Sequence, residues 1–309
     1  MSEQIMGNLS THRIATAKPF SFTGVDFCGL IFVHEGRHKN SKHIKADIAV
    51  LVWPQKLCIW RSYLSMDAFL NAFKRFISRR GKPSDVFSDN GTLSVSIGIW
   101  KTSESYSHKK ISKIIDTTSS ERMKWHFIPL RASHFGGLWE AIVKSFKGHF
   151  YKVASEAALT FEEVSTLVIQ IEAILNSRPL SALSSDPNNL NYLSLGHFLI
   201  DNSLISYSEP DITQYFWKRW SLKYLSQLQR RAKWYTNRGE QLKVGQLVLC
   251  RENGLPPLSW MLGRVQEVCP GDDNIIRRVV IKTARGIFKR PAVKLSVFLI
   301  ESSTNLKEA

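Results

Sequence analysis

Residues 20–33 read FSFTGVDFCGLIFV, an aromatic and β-branched run that holds one acidic residue, Asp26, between Val25 and Phe27. The run predicts a strand. A carboxylate inside such a strand is costly unless it is paired or holds a cation. Working outward, 44–53 (IKADIAVLVW) and 57–63 (LCIWRSY) predict two more strands, joined by a turn at Pro54-Gln55-Lys56. Residues 66–78 change to helical spacing: Phe69, Ala72, Phe73, Phe76 and Ile77 form one stripe behind an N-cap at Ser65. The stop is RRGKP (79–83), basic residues followed by Gly81 and Pro83. A short strand over 85–88 then runs into Asp89-Asn90-Gly91.

Residues 93–124 are rich in Ser and Lys and predict an irregular insertion. WHFIP (125–129) predicts a strand, and 138–152 a helix that starts after Gly136-Gly137. The clearest helix is 161–176. Thr160 and Glu163 fit a capping box, and Phe161, Val164, Leu167, Val168, Ile171, Ile174 and Leu175 form its apolar face. A Ser/Asn/Pro-rich connector (181–212) precedes a tryptophan-rich helix over about 216–234. Short strands follow at 246–250, 262–268, 277–283 and 287–293, separated by ENGLPP, PGDDN and ARG; their spacing predicts a small barrel. In the first part strands and helices mix without strict alternation. That order predicts an α/β mixed sheet covered by helices, not a doubly wound parallel sheet.

Composition narrows the function. The 309 residues carry 42 Lys+Arg against 26 Asp+Glu, a formal net charge of +16. Residues 205–309 hold 18 basic and 9 acidic residues, a net of +9, so the smaller part is the more positive. With 43% apolar and 11% aromatic residues the chain builds cores, which separates it from disordered basic tails. The expected partner of such a chain is a polyanion, nucleic acid first. No apolar run approaches the roughly 18 residues of a membrane span. Cys28, Cys58, Cys250 and Cys269 form no C-x-x-C pair, which argues against a zinc knuckle or a disulfide scaffold. Reduced thiols and an N-terminal stretch without the apolar segment of a secretory signal make the nucleus or cytoplasm the expected location.

Three acidic residues stand out: Asp26 within the first strand, Asp89 where the fourth stops, and Glu140 at the start of a helix. Singly each has a plainer reading: a solvent-facing edge residue, an Asp-Asn-Gly turn, and a carboxylate favouring the positive end of its helix. Brought together they would repel, and a hard, oxygen-seeking cation such as Mg²⁺ would relieve the repulsion. Two such ions serve phosphodiester chemistry.

The flanks carry a resemblance. PFSFTGVDFCG (19–29), AFLNAFKRFISRRGKPSDVFSDNGT (68–92), HFGGLWEAIVKSFKGHF (134–150), LTFEEVSTLVIQIEAILNSRPL (159–180) and LSLGHFLI (193–200) resemble the integrase of Pao/BEL-type LTR retrotransposons. FWKRWSLKYLSQLQRRAKW (216–234), KVGQLVLC (243–250), PPLSWMLGRV (256–265) and GIFKRPAVKL (286–295) resemble the small C-terminal domain of the same elements. The resemblance implies an RNase H-like catalytic core, followed by a helix and a small SH3-like β-barrel. It implies that Asp26, Asp89 and Glu140 are the catalytic, metal-holding carboxylates, with two Mg²⁺ or Mn²⁺ ions. It further implies 3′-end processing and strand transfer on element ends and target DNA, by a homo-oligomer when active. Asp89 and Glu140 stand 51 positions apart, and the insertion at 93–124 accounts for a gap longer than in retroviral integrases.

The boundaries that follow are an N-terminal remnant (1–18), the catalytic core (19–180), the connector (181–212), a basic C-terminal domain (213–300) and a tail (301–309). On the helix after the glycine pair, Glu140, Lys144 and Lys147 share a face suited to a DNA backbone. Its plainer reading is a solvated polar face. In the C-terminal module Lys282, Arg285, Lys289 and Arg290, with Phe288 and Trp260, suit phosphate contacts. The alternative there is a charged barrel surface with core aromatics.

The sequence also departs from the family. Only His12 stands where a zinc-binding His/Cys domain is expected, LSVSIGIW follows SDNGT, and CIWRSYLS replaces the usual third strand. These departures predict a fragment of an ageing genomic copy. Two rivals therefore stand beside integration: an inactive or domesticated DNA-binding remnant, and a metal-dependent nuclease without a joining step.

Overall fold

The computed structural model describes residues 18–38, 41–53, 56–63, 66–89, 114–116, 118–128, 133–154, 159–184, 186, 188–204, 212–228, 242–252, 254–271 and 276–298. The chain divides into two compact units, Met1–Glu172 and Ala173–Ala309.

The first unit is built on a five-stranded sheet of order β3-β2-β1-β4-β5. Its strands are β1 (Phe22–His34), β2 (His43–Trp53), β3 (Lys56–Tyr63), β4 (Asp85–Asp89) and β5 (Lys124–Ile128). β1–β2 and β2–β3 are antiparallel, while β4 and β5 run parallel to β1. The mixed sheet with flanking helices resembles the RNase H-like fold, and the strand predicted around Asp26 is its central one.

Helix α1 (Met66–Arg80) crosses one face of this sheet. Its phenylalanine stripe meets the sheet as its spacing predicts. Phe69 lies 5.7 Å from Phe27, Phe76 lies 5.4 Å from Phe20, and Phe73 lies 5.9 Å edge-on from Trp125. Such ring pairs add about 0.5–1.5 kcal/mol each beyond their burial. Helix α2 (Ser133–Ala154) packs against β1 and also touches β2 and β5. Phe146 and Phe150 are fully buried and stacked at 5.2 Å, as the spacing requires.

Helix α3 (Phe161–Asn176) begins on the capping box read from the sequence. The Thr160 N–H donates to Glu163 Oε2 at 2.8 Å, and the Glu163 N–H reaches Thr160 Oγ1 at 3.4 Å. Arg37, from the β1–β2 turn, also pairs with Glu163. His34 N–H donates to the Leu159 carbonyl at 3.0 Å, so the hairpin is tied to the start of α3.

The second unit contains the hairpin β6 (Pro179–Ala182) and β7 (Tyr192–Ser194), a short helix α4 (His197–Ile200) and helix α5 (Ile212–Leu228). It also holds a second sheet of β8 (Leu247–Cys250), β9 (Met261–Pro270), β10 (Ile276–Thr283), β11 (Gly286–Pro291) and β12 (Leu295–Val297). The Ser/Asn/Pro-rich connector therefore carries part of a hairpin. The sheet is antiparallel with order β11-β10-β9-β8-β12.

The barrel expected from the sequence is not closed: among the described residues no ladder joins the edge strands β11 and β12. A 3₁₀ turn at Ala292–Lys294 separates them and turns β12 back onto β8. β8 is buried along its whole length by strict alternation. Val248 and Cys250 join Val265, Val279, Ile281 and Leu295, while Leu247 and Leu249 join Leu225, Leu262 and Phe298. At the β10–β11 turn Gly286 has φ +124°, a conformation that L side chains rarely adopt.

Candidate functional site

β1 places Asp26 in the middle of the first sheet, opposite Val50 of β2. Val25 and Phe27 on either side are buried, and Asp26 itself is half-buried. Its Oδ1 accepts the Phe27 N–H at 2.7 Å. On the other side β1 pairs in parallel with β4, and the ladder runs as far as Val25–Ser88. Asp26 and Asp89 are each the next residue on their strands. The backbone thus brings these two positions to neighbouring points of adjacent strands. Asp89 is the last residue of β4 and pairs with Ile128 of β5.

Glu140 lies on α2, the helix packed against β1. The side chains of Asp89 and Glu140 are outside the described residues. One expectation changes. The helix starts at Ser133, so Gly136 and Gly137 are inside it and Glu140 lies beyond its first turn. Glycine costs a helix about 1 kcal/mol, a penalty that the long packed stretch after it overrides. The dipole reading of Glu140 weakens accordingly, because that effect fades after the first turn.

α2 is fixed to β1 by a contact that the sequence does not announce. Tyr151 donates its hydroxyl to the Cys28 carbonyl at 2.9 Å, next to a register shift between Phe27 and Leu30. Burial pushes the Cys28 thiol up to about 12; the nearby Lys147 ammonium opposes this, and Asp47 and Asp26 add to it. Burial, then the Cys28 thiol, also raises the Tyr151 phenol. Lys147 is half-buried and Lys144 exposed, so the polar stripe of α2 is not uniformly solvated.

Asp47 of β2 also escapes the sequence reading. It is 2% exposed, and its Oδ1 accepts the Ile48 N–H at 2.8 Å. The signal was present: an acidic residue within IKADIAVLVW is the same anomaly as Asp26.

Carboxylate oxygens alone would suit Mg²⁺ or Mn²⁺. Among the described residues no three His, Cys, Asp or Glu side chains are grouped to hold a metal ion. Of the three candidate ligands only the Asp26 side chain belongs to that set, and its partial burial within an apolar strand fits such a role.

In the second unit strand alternation separates the expected basic residues. Val280 pairs with Lys289 and Lys282 with Ile287, which puts Arg278, Lys282 and Lys289 on one exposed face. Arg285 is exposed at the adjoining turn. Lys282 also donates to Asn188 Oδ1 at 3.3 Å. Arg290 and Phe288 lie on the opposite face. Arg290 Nη2 reaches both oxygens of Glu252, at 3.0 and 3.1 Å, and its guanidinium stands 5.1 Å from the Phe288 ring centre. Arg290 is thus engaged within the unit, and Arg278 is the residue that period-two reading adds to the exposed set. Trp260 sits among Trp217, Trp220 and Tyr224 at ring distances of 4.8, 5.8 and 5.4 Å, the core alternative.

The first sheet is a mixed α/β arrangement that resembles the RNase H-like fold, with acidic residues at neighbouring positions of β1 and β4. Comparisons add the following. Residues 208–298 match a family described as of unknown function (DUF5641). No curated protein matches the chain significantly. Among solved structures, it is similar to a chain of the simian T-cell lymphotropic virus intasome in complex with PP2A regulatory subunit B56 gamma. That match has 13% identity and a TM-score of 0.36, and covers 92% of this chain and 80% of the other. It is also similar to the HTLV-2 integrase catalytic core domain in complex with magnesium, with 15% identity and a TM-score of 0.33, covering 55% and 93%. Strand order and register, not these loose likenesses, carry the fold assignment.

Proposed function

We propose that the chain is a DNA-integrating polynucleotidyl transferase of the Pao/BEL retrotransposon type, with a basic C-terminal module that holds DNA. The observation that supports this reading is the parallel β1–β4 ladder, whose register runs to Val25–Ser88, one residue before Asp26 and Asp89, on a sheet against which the helix of Glu140 packs. These three residues would hold two Mg²⁺ or Mn²⁺ ions. Bound there, the ions supply an activated water or 3′-hydroxyl and stabilisation of the leaving oxygen of a phosphodiester.

The chain's own part is to position. β1 and β4 would present the Asp26 and Asp89 carboxylates, and Tyr151 holds α2 against β1. Lys144 on α2, with Lys282, Arg285, Lys289 and Arg278 in the second unit, neutralises phosphates without reading bases. Arg290 supports the module through Glu252. A homo-oligomer holding two DNA ends, an SH3-like arrangement of the second sheet, and action in the nucleus or cytoplasm belong to the same reading.

The rival reading is a DNA-binding remnant that has lost activity. Incubation of labelled duplex ends with the protein and Mg²⁺ or Mn²⁺, beside Asp89→Asn, separates the readings. End trimming and joining above the variant support integration. Trimming without joining identifies a nuclease. Neither activity, with salt-sensitive DNA binding retained, identifies the remnant.

A further inference from the structure

A second cluster lies at the far end of the β1–β2 hairpin. His34 and His43 are the last paired residues of that ladder. Their ring centres are 4.2 Å apart, with the planes inclined at 56°. The Glu35 N–H donates to the Lys42 carbonyl at 3.0 Å, so the adjoining 35/42 position is hydrogen-bonded. The 34/43 position is then the non-hydrogen-bonded kind, in which cross-strand side chains approach most closely. The His34 N–H agrees, since it points outward to Leu159.

Both rings are accessible, His43 exposed and His34 half-buried. Ser41 Oγ lies 2.8 Å from His34 Nδ1. That contact orients the ring and directs Nε2 away from Ser41. A hydrogen bond on the second ring nitrogen is the usual support of a ligating histidine.

The surroundings choose the kind of cation. Arg37, His38, Lys42 and Lys45 share the hairpin, which disfavours a hard ion held by charge alone. Imidazole nitrogens instead bind borderline divalent ions by donating a lone pair. Among the described residues no third His, Cys, Asp or Glu joins the pair, so water would complete the shell.

We propose that His34 and His43 form a two-imidazole site for a borderline divalent transition-metal ion such as Zn²⁺, apart from the carboxylates of Asp26, Asp89 and Glu140. The ion closes the hairpin at the end tied to Leu159 and, through Arg37, to Glu163. The proposal does not depend on the function proposed above.

The test is calorimetric titration of the chelator-stripped full chain with Zn²⁺, in the presence of saturating Mg²⁺. The same titration is run on His43→Gln, His34→Gln and Asp89→Asn. The expected result is one Zn²⁺ fewer in each histidine variant than in the parent, with Asp89→Asn unchanged. Zn²⁺ also raises the melting temperature of the parent more than that of His43→Gln. His43 is exposed, so its variant folds even if His34→Gln does not. Equal stoichiometry in the parent and His43→Gln overturns the proposal. So does loss of the Zn²⁺ in Asp89→Asn, which would assign the ion to the carboxylates.

Discussion

Replacing Trp260 by Ala separates two readings of one residue. As a phosphate-gripping aromatic, Trp260 would lower DNA affinity when lost and leave stability intact. As the centre of an aromatic cluster, it would do the reverse. Its ring contacts Trp217, Trp220 and Tyr224 within 6 Å, and its Nε1 lies 3.4 Å from Ser177 Oγ. Truncating a buried Trp costs about 3–5 kcal/mol. Trp260 is only half-buried, which favours the low end, while three ring pairs of about 0.5 kcal/mol or more each pull upward. The expected loss is therefore about 3–4 kcal/mol. With a urea m-value of about 1–3 kcal/mol/M, the unfolding midpoint of the second unit falls by about 1 M or more. Near-ultraviolet circular dichroism, sensitive to packed indoles, follows the unfolding of the full chain. An unchanged midpoint with weakened DNA binding would refute the packing argument.

Other consequences follow from named contacts. The Glu163 carboxyl is held down at about 2, first by Arg37 and then by the N–H and hydroxyl of Thr160. Its folded value is depressed, so its contribution is present above the ordinary value of 4.5 and is lost as pH falls through about 2. Acid unfolding of Glu163→Gln should therefore lose the pH dependence that the parent shows in that window, a modest effect at a solvent-accessible pair. Burial raises the Cys28 and Cys250 thiols to about 12, so neither should react with a thiol reagent at pH 8 until the chain unfolds. Rapid labelling of either in native protein would contradict their burial. Tyr151→Phe removes the donor to the Cys28 carbonyl and should cost about 1 kcal/mol in denaturant unfolding of the first unit.

What the sequence made legible follows from how locally each feature is encoded. The helix predicted at 161–176 matches α3, because its apolar spacing, its capping box and its stop all lie within the segment. The first four strands of the first sheet appear within two residues of their predicted limits for the same reason. β12 has only three residues and exists through its pairing with β8, so no local pattern marks it. The β6–β7 hairpin is hidden by the Ser, Asn and Pro around its turn. Gly136-Gly137 reads locally as a boundary, yet tertiary packing carries the helix through it. Period-two alternation from Lys289 turns Arg290 to the other face, away from the exposed lysines.

The candidate site divides in the same way. An acidic residue in an apolar strand identified Asp26, and the β1–β4 register then brings the Asp89 position beside it. Asp47 carries the same anomaly, but nothing around it belongs to a recognisable block. Glu140 rests on the helix that runs through HFGG and on the packing of that helix against β1.

Manganese titration tests whether Asp26, Asp89 and Glu140 share one metal site. Mn²⁺ binding to the full chain is followed by electron paramagnetic resonance, in the parent and in Asp26→Asn, Asp89→Asn and Glu140→Gln. If the three carboxylates converge, each substitution alone weakens or abolishes the same bound Mn²⁺, while His43→Gln leaves it untouched. Mn²⁺ binding that is indifferent to all three carboxylates would contradict the account.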